Sequence, residues 1–167
     1  TERDMAQYGK PEYWEERYQR DPEPFDWYQR WAGLKDIFTD YVQENHQILM
    51  VGAGNSRLSE EMYEEGFHNI TNIDISLTVV KAMQDKYQDK AGMSYQQMDC
   101  RAMDFPEGIF NVVIDKACLD SILCGEMSTH NAQKTLQHIS SVLAPNGCFI
   151  CVSHGQPSYR LTYLQRP

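Results

Sequence analysis

The sequence predicts an α/β fold, a doubly wound and mainly parallel sheet behind an N-terminal helical cap. Three observations carry that expectation. From residue 47 onward, short apolar runs that read as buried strands alternate with stretches of helical periodicity. A glycine-rich turn, Gly52-Ala53-Gly54, joins the first such strand to its helix. Acidic residues, Asp74, Asp99 and Asp115, stand at the ends of later strands. Alternation of this kind puts helices on both faces of a parallel sheet, and right-handed crossovers restrict the order of its strands.

The cap spans about Pro11 to Glu44. Tyr13, Trp14, Arg17 and Tyr18 fall at helical spacing, and Asp21-Pro22-Glu23-Pro24 then breaks the chain. After Phe25, Trp27, Tyr28 and Trp31 a second helix is expected, with Leu34, Ile37, Phe38 and Tyr41 on one face. Gln47 to Val51 reads as the first strand. Its helix carries Leu58, Met62 and Tyr63 and stops at Gly66. Ile70 to Ile73 is the second strand, and Leu77, Val80, Met83 and Tyr87 mark the next helix. Met93 to Met98 and Phe110 to Ile114 follow as strands three and four. A helix with Leu136, Ile139, Val142 and Leu143 runs into the turn Ala144-Pro145-Asn146-Gly147, and Cys148 to Ser153 is the fifth strand. The 167 residues suit one domain: cap 1–45, core 46–155 and tail 156–167.

With 41% hydrophobic and 23% charged residues, the composition is that of an ordinary globular protein. No apolar run approaches the roughly 20 residues that span a bilayer, so no membrane partner is expected. Thr1 to Lys10 lacks the apolar core of a signal peptide, and the start at Thr suggests that leading residues are missing. A net charge of −9, with no local basic run, disfavours nucleic acid and suits a cationic partner such as a Lys-rich protein segment. It also fits solubility alone. Cys148 and Cys151 have CxxC spacing, but residues three apart on a strand point to opposite faces, so no metal site is expected. The five cysteines read as reduced core thiols of a cytoplasmic protein.

In such sheets the ligand lies beyond the C-terminal ends of the strands, at the switch point. Val51-Gly52-Ala53-Gly54-Asn55-Ser56 lies there, between strand and helix, where glycines let a ligand approach the backbone and helix amides. It could equally be a tight turn without a ligand. Asp74 follows Gly52 by 22 residues and could accept hydrogen bonds from both ribose hydroxyls of a nucleoside. Alternatively Asp74, or Ser76, caps the next helix. The position of a third dinucleotide-loop glycine is Arg57, which disfavours a pyrophosphate, whereas S-adenosylmethionine, which has no phosphate, tolerates this loop. Asp99 could accept from an adenine amino group beside Cys100. Asp115-Lys116 ends the fourth strand, either at a reacting centre or as a surface ion pair of little value.

In these motifs the sequence resembles the seven-β-strand, methyltransferase-like lysine methyltransferases, nearest to the branch that modifies elongation factor 1-alpha. The resemblance rests on Tyr13-Trp14-Glu15-Glu16-Arg17-Tyr18, Phe25-Asp26-Trp27-Tyr28, the stretch from Val51 to Ser59, and Asn72-Ile73-Asp74-Ile75-Ser76. It continues through Met98-Asp99, Asp104-Phe105-Pro106 and Asp115-Lys116-Ala117-Cys118-Leu119-Asp120. It implies a Rossmann-like sheet in the order 3-2-1-4-5 and S-adenosylmethionine as cofactor, released as S-adenosylhomocysteine. The implied cofactor contacts are Trp14, Tyr18, Gly52, Asp74, Ile75, Asp99, Cys100 and Lys116, with Gly54 and Asn55 completing the loop. Trp14 and Tyr18 would close over the methionine end, whereas Trp27 and Trp31 read as packing. Two departures stand out: the family usually has Gly-Thr where this chain has Ala117-Cys118, and its last two strands are absent here.

The implied chemistry is in-line methyl transfer to a lysine of a protein substrate, with Asp115 and Asp120 as the candidates for a general base. No Asn/Asp-Pro-Pro-Tyr/Phe follows the fourth strand, which weighs against a nucleic-acid base as acceptor. Two other readings stand beside this one. The chain could methylate a small molecule, or it could be a cofactor- or partner-binding module without activity, its fifth strand an exposed edge.

Overall fold

β1 (Ile48–Val51) is apolar at every position because both its faces are covered, as in a parallel sheet flanked by helices. The computed structural model of the protein describes residues 2–166. Before β1 come α1 (Glu2–Met5), a 3-10 turn (Ala6–Gly9), α2 (Pro11–Arg20) and α3 (Trp31–Phe38). After it come α4 (Leu58–Glu64), β2 (Ile70–Asp74), α5 (Leu77–Lys86), β3 (Met93–Gln97) and β4 (Phe110–Lys116). The chain continues through α6 (Cys118–Cys124), α7 (Ser128–Val142), β5 (Leu143–Val152) and α8 (Pro157–Leu164).

The strands form one five-stranded parallel sheet in the order β3-β2-β1-β4-β5, as expected. Strand alternation divides the core in two. Ile48 and Met50 of β1 with Val112 and Ile114 of β4 face α3, α4 and α5, packing on Trp31, Leu34, Phe38, Leu58, Val80 and Met83. Leu49, Val51 and Val113 face the other way, onto Ile139 and Val142 of α7. The register sets β1 beside β4 with Val51 opposite Asp115, so the glycine turn and the end of β4 reach the same edge of the sheet.

Several expectations need correction. The buried face of α3 is Trp31, Leu34 and Phe38, continued by Val42, while Ile37 (59% exposed) and Tyr41 (56%) point outward. Counting from Trp31 rather than Leu34 gives the right stripe. The 144–147 turn does not precede β5 but bulges within it: Phe110 pairs with Leu143 and Val112 with Cys148, and Asn146 takes φ 64° to make the loop-out. The cysteines are free but only half-buried, Cys148 and Cys151 because β5 is an outer strand. Three helices escaped the sequence reading, α1, α6 and α8. Among the described residues no helix is long and apolar enough to cross a membrane.

Candidate active site

The glycine turn after β1 is left-handed twice, with φ 62° at Gly52 and 53° at Gly54. Space is short as well: a Cβ on Gly52 would lie 2.7 Å from the Cys118 sulfur, and one on Gly54 would overlap the Tyr18 hydroxyl. Asp74, at the end of β2, turns back toward this loop. Its Oδ2 accepts from the Gly54 amide (2.9 Å) and its Oδ1 from the Ser76 amide (3.0 Å). Burial raises its pKa to about 6 against the pull of these amides. Ser76, not Asp74, caps α5, accepting from the Val79 amide (3.3 Å).

The cap is fastened over the loop by polar side chains. Asn55 donates to the Glu23 carbonyl (2.9 Å) and accepts from the Phe25 amide (3.0 Å). Asp26 accepts from the Ser56 hydroxyl and the Arg57 amide at the start of α4. Lys116, nearly sealed, donates to the Trp27 carbonyl (2.6 Å) and pairs with Asp26 (3.3 Å). Burial lowers its pKa, and Asp26 opposes that shift. From α2, Glu15 accepts from the Ser76 hydroxyl (2.6 Å) and the Thr78 hydroxyl, tying the cap to the positive end of α5. Trp14 donates to the Tyr8 carbonyl (2.8 Å) and stacks on Tyr8 and Tyr18. The Arg17 guanidinium lies 5.3–5.5 Å from the rings of Trp14, Phe25 and Trp27. Trp27 lines the cleft, contrary to expectation; Trp31 is core.

Beyond β3, Asp99 is gripped by its neighbour Arg101, which donates to both carboxylate oxygens (2.8–3.1 Å). Burial alone would raise the Asp99 pKa, but Arg101 outweighs it and holds the carboxyl below its usual range. The Cys100 sulfur is 4.0 Å from that of Cys118, so both sides of the sheet's switch point meet there. Asp115 does not line this cleft. It is sealed beneath α6, accepting from the amides of Cys118 (2.9 Å) and Leu119 (2.9 Å), and burial raises its pKa to about 7. That is a helix cap. Ala117, between them, is held at φ 79°, the left-handed turn for which the resembling family uses glycine.

Asp120, one turn into α6, does line the cleft. Its Oδ2 accepts from the Tyr28 hydroxyl (2.6 Å) and the His154 amide (3.1 Å) and lies 2.9 Å from His154 Nδ1. Its Oδ1 accepts from the Ser153 hydroxyl (2.5 Å) and from Arg160 Nε and Nη2 (3.1 and 2.9 Å). Burial would raise its pKa, but the hydrogen bonds from Ser153, Tyr28 and His154 outweigh it and hold the carboxyl at about 2. Of the two candidate bases, Asp115 thus lies outside the cleft, and Asp120 lines it with both carboxylate oxygens engaged by donors. Sequence reasoning missed Tyr28, His154 and Arg160 as partners of Asp120. Tyr28 belongs to a motif already singled out and His154 follows β5 directly, but nothing local marks Arg160.

All ten expected cofactor contacts line one cleft of about 410 Å³ at the C-terminal ends of the strands, a volume suited to a nucleoside-sized ligand. The residues fit S-adenosylmethionine. The floor is a sealed carboxylate at a glycine turn that offers close backbone approach, the lid is aromatic, and among the described residues no cluster of cations for a pyrophosphate lines the loop. Asp74 accepts only backbone amides, and its carboxylate keeps acceptor capacity for a ribose hydroxyl.

Comparison with known proteins agrees. A methyltransferase domain family model matches residues 49–151. The chain is 35% identical to EEF1A lysine methyltransferase 4 of Mus musculus over 94% of its own length and 66% of that protein. It is 35% identical to the eEF1A lysine and N-terminal methyltransferase of Homo sapiens over 90% of its own length and 22% of that protein. It thus spans about two thirds or less of these relatives. A solved SAM-dependent methyltransferase from Methanosarcina mazei superposes with a TM-score of 0.65 at 21% identity, over 85% of this chain and 65% of that one. The chain therefore belongs to the methyltransferase domain family, with the Rossmann-like fold and the cofactor, S-adenosylmethionine, that go with it.

Proposed function

We propose that this chain is the cofactor-binding and catalytic part of an enzyme that methylates a lysine of a protein substrate in the cytoplasm. One observation carries the reading: a single cleft joins the glycine turn and Asp74 to the ends of β4 and β5. The cofactor's half and the acceptor's half therefore share one space. The names of the relatives, which specify lysine methylation of eEF1A, favour a protein acceptor of that kind, as does the chain's net charge of −9.

Within this reading Asp74 holds the ribose hydroxyls, and Ile75, Asp99 and Cys100 flank the base. Gly52, Gly54 and Asn55 shape the loop. Trp14 and Tyr18 cover the methionine end and exclude water, and Lys116 locks the cap segment at Asp26 and Trp27. When bound, S-adenosylmethionine supplies a methyl group already activated by its sulfonium. The chain's own task is mostly positioning, worth several kcal/mol when the reacting atoms are held in line. Residues 1–45 act as the cap, 46–155 as the core and 156–167 as a tail that braces the acceptor side through Arg160.

Incubation with tritium-labelled S-adenosylmethionine and recombinant, unmethylated elongation factor 1A tests this. Label on a lysine of the factor is expected. Label confined to small metabolites in a lysate would replace the proposal with a small-molecule enzyme, and none anywhere would leave a binding module.

A further inference from the structure

Asp120 is too heavily engaged to act as a base itself, but the arrangement around it prepares another group to do so. Among the groups that meet it, the His154 ring is 64% exposed and lines the cleft, while the Asp120 carboxyl is 5% exposed. His154 lies two residues beyond Val152, the β5 partner of Lys116, and so at the C-terminal end of the sheet on its β4–β5 side. Its Nδ1 is 2.9 Å from Asp120 Oδ2 and 3.0 Å from the Tyr28 hydroxyl oxygen.

These distances fix a tautomer. Tyr28 has one hydroxyl proton, and its 2.6 Å contact with Asp120 shows where that proton goes. Its oxygen can then only accept from His154, and an ionised Asp120 can only accept. Nδ1 must therefore carry the hydrogen, shared between the two. In a neutral imidazole the lone pair then lies on Nε2, at the other side of the ring. A carboxylate that orients a histidine through Nδ1 and steadies its charged form is the arrangement that makes Nε2 a general base. The charged and titratable groups around the ring are Asp120 of α6, Tyr28 of the cap and Arg160 of α8. Arg160 binds the other oxygen of Asp120 and leaves Oδ2 to Tyr28 and His154.

We propose that His154 is the residue that takes the proton from the acceptor nitrogen, with Asp120 and Tyr28 as its positioning residues. This rests on the methyl-transfer reading above. The balance is simple. The acceptor ammonium gives one proton to Nε2, and the freed nitrogen lone pair forms the new bond to the methyl carbon. The electron pair of the broken carbon–sulfur bond stays on sulfur. The imidazolium then returns its proton to water through its exposed face.

Two measurements decide it. The first needs no substrate: long-range nitrogen-15 NMR of the labelled full chain, with His154→Gln used to assign the signal. A protonated Nδ1 and an unprotonated Nε2 in the neutral ring are expected; the opposite tautomer overturns the proposal. The second is the pH dependence of methyl transfer to elongation factor 1A. His154→Gln should lower kcat at least tenfold and abolish the activity limb that reports deprotonation of the base. KM for the acceptor and S-adenosylhomocysteine affinity by calorimetry should stay within about twofold. An active wild type with an unchanged variant profile overturns the base role alone. A wild type that transfers no methyl overturns the lysine reading and the base role together.

Discussion

Asp74 and Asp120 are both sealed carboxylates on the wall of one cleft, yet their surroundings push them in opposite directions. Asp74 meets backbone amides from its own turn and from the glycine loop, and its pKa rises to about 6. Asp120 meets the side chains of Tyr28, Ser153 and Arg160, residues far apart in sequence, and its pKa falls to about 2. Desolvation acts on both, and the hydrogen bonds that each carboxyl receives decide the sign. The cofactor side of the cleft is thus built from backbone geometry, with acceptor capacity left over for a ligand. The acceptor side is built from converging side chains that use the carboxylate up.

The sharpest way to break this contrast is at Asp74. In the proposed cofactor reading, Asp74→Ala removes two charge-assisted hydrogen bonds to the ribose, worth about 2 kcal/mol each. S-adenosylhomocysteine should bind roughly a thousandfold more weakly by calorimetry. A loss below tenfold, with the fold intact by circular dichroism, would mean that Asp74 serves the loop and not the ligand.

Asp120→Ala should instead cost stability. It leaves Arg160, Tyr28 and Ser153 without their common acceptor, a loss of about 3 kcal/mol in chemical denaturation. The pH dependence separates this carboxyl from its neighbour. A lowered folded pKa gives stability that is present above the unfolded value and is lost as pH falls toward 2, so Asp120→Asn should remove that acid limb. Asp115 has the opposite sign. Its pKa of about 7 lies above the unfolded value, so its contribution is full below pH 4 and disappears as pH rises through 7. Asp115→Asn keeps an acceptor for the Cys118 and Leu119 amides and should flatten the decline between pH 4 and 7. Equal pH profiles for the two variants would erase the distinction.

The same contrast explains what the sequence made legible. The strand order came from the family resemblance, whereas the first four strands and the glycine turn are set by local pattern: apolar runs and φ-permissive residues. They were read correctly because backbone geometry constrains residue type position by position. The Asp120 cluster joins Tyr28, His154 and Arg160 across 92, 34 and 40 residues, and no periodicity marks such partners. Asp115 shows the opposite failure. An acid at a strand end next to a lysine reads as chemistry, but the register buries it under α6 as a cap. Lys116 likewise points to Asp26 in the cap rather than to its sequence neighbour.

The smallest effect expected is at Ala117, where the two regions meet. Its φ of 79° places a Cβ against its own carbonyl, a strain of about 1–2 kcal/mol for an L residue. Glycine would relieve the strain but would enlarge the freedom of the unfolded chain, costing about 0.4–1 kcal/mol. Relief exceeds that cost, so Ala117→Gly should stabilise the fold by about 0.5–1 kcal/mol, a rise in Tm of a few degrees for a chain of this length. A fall in Tm would mean that the Ala117 methyl makes packing contacts worth more than the strain. A rise would show that this turn carries strain beside the Cys118 sulfur that packs on Gly52, at the junction of the cofactor and acceptor sides.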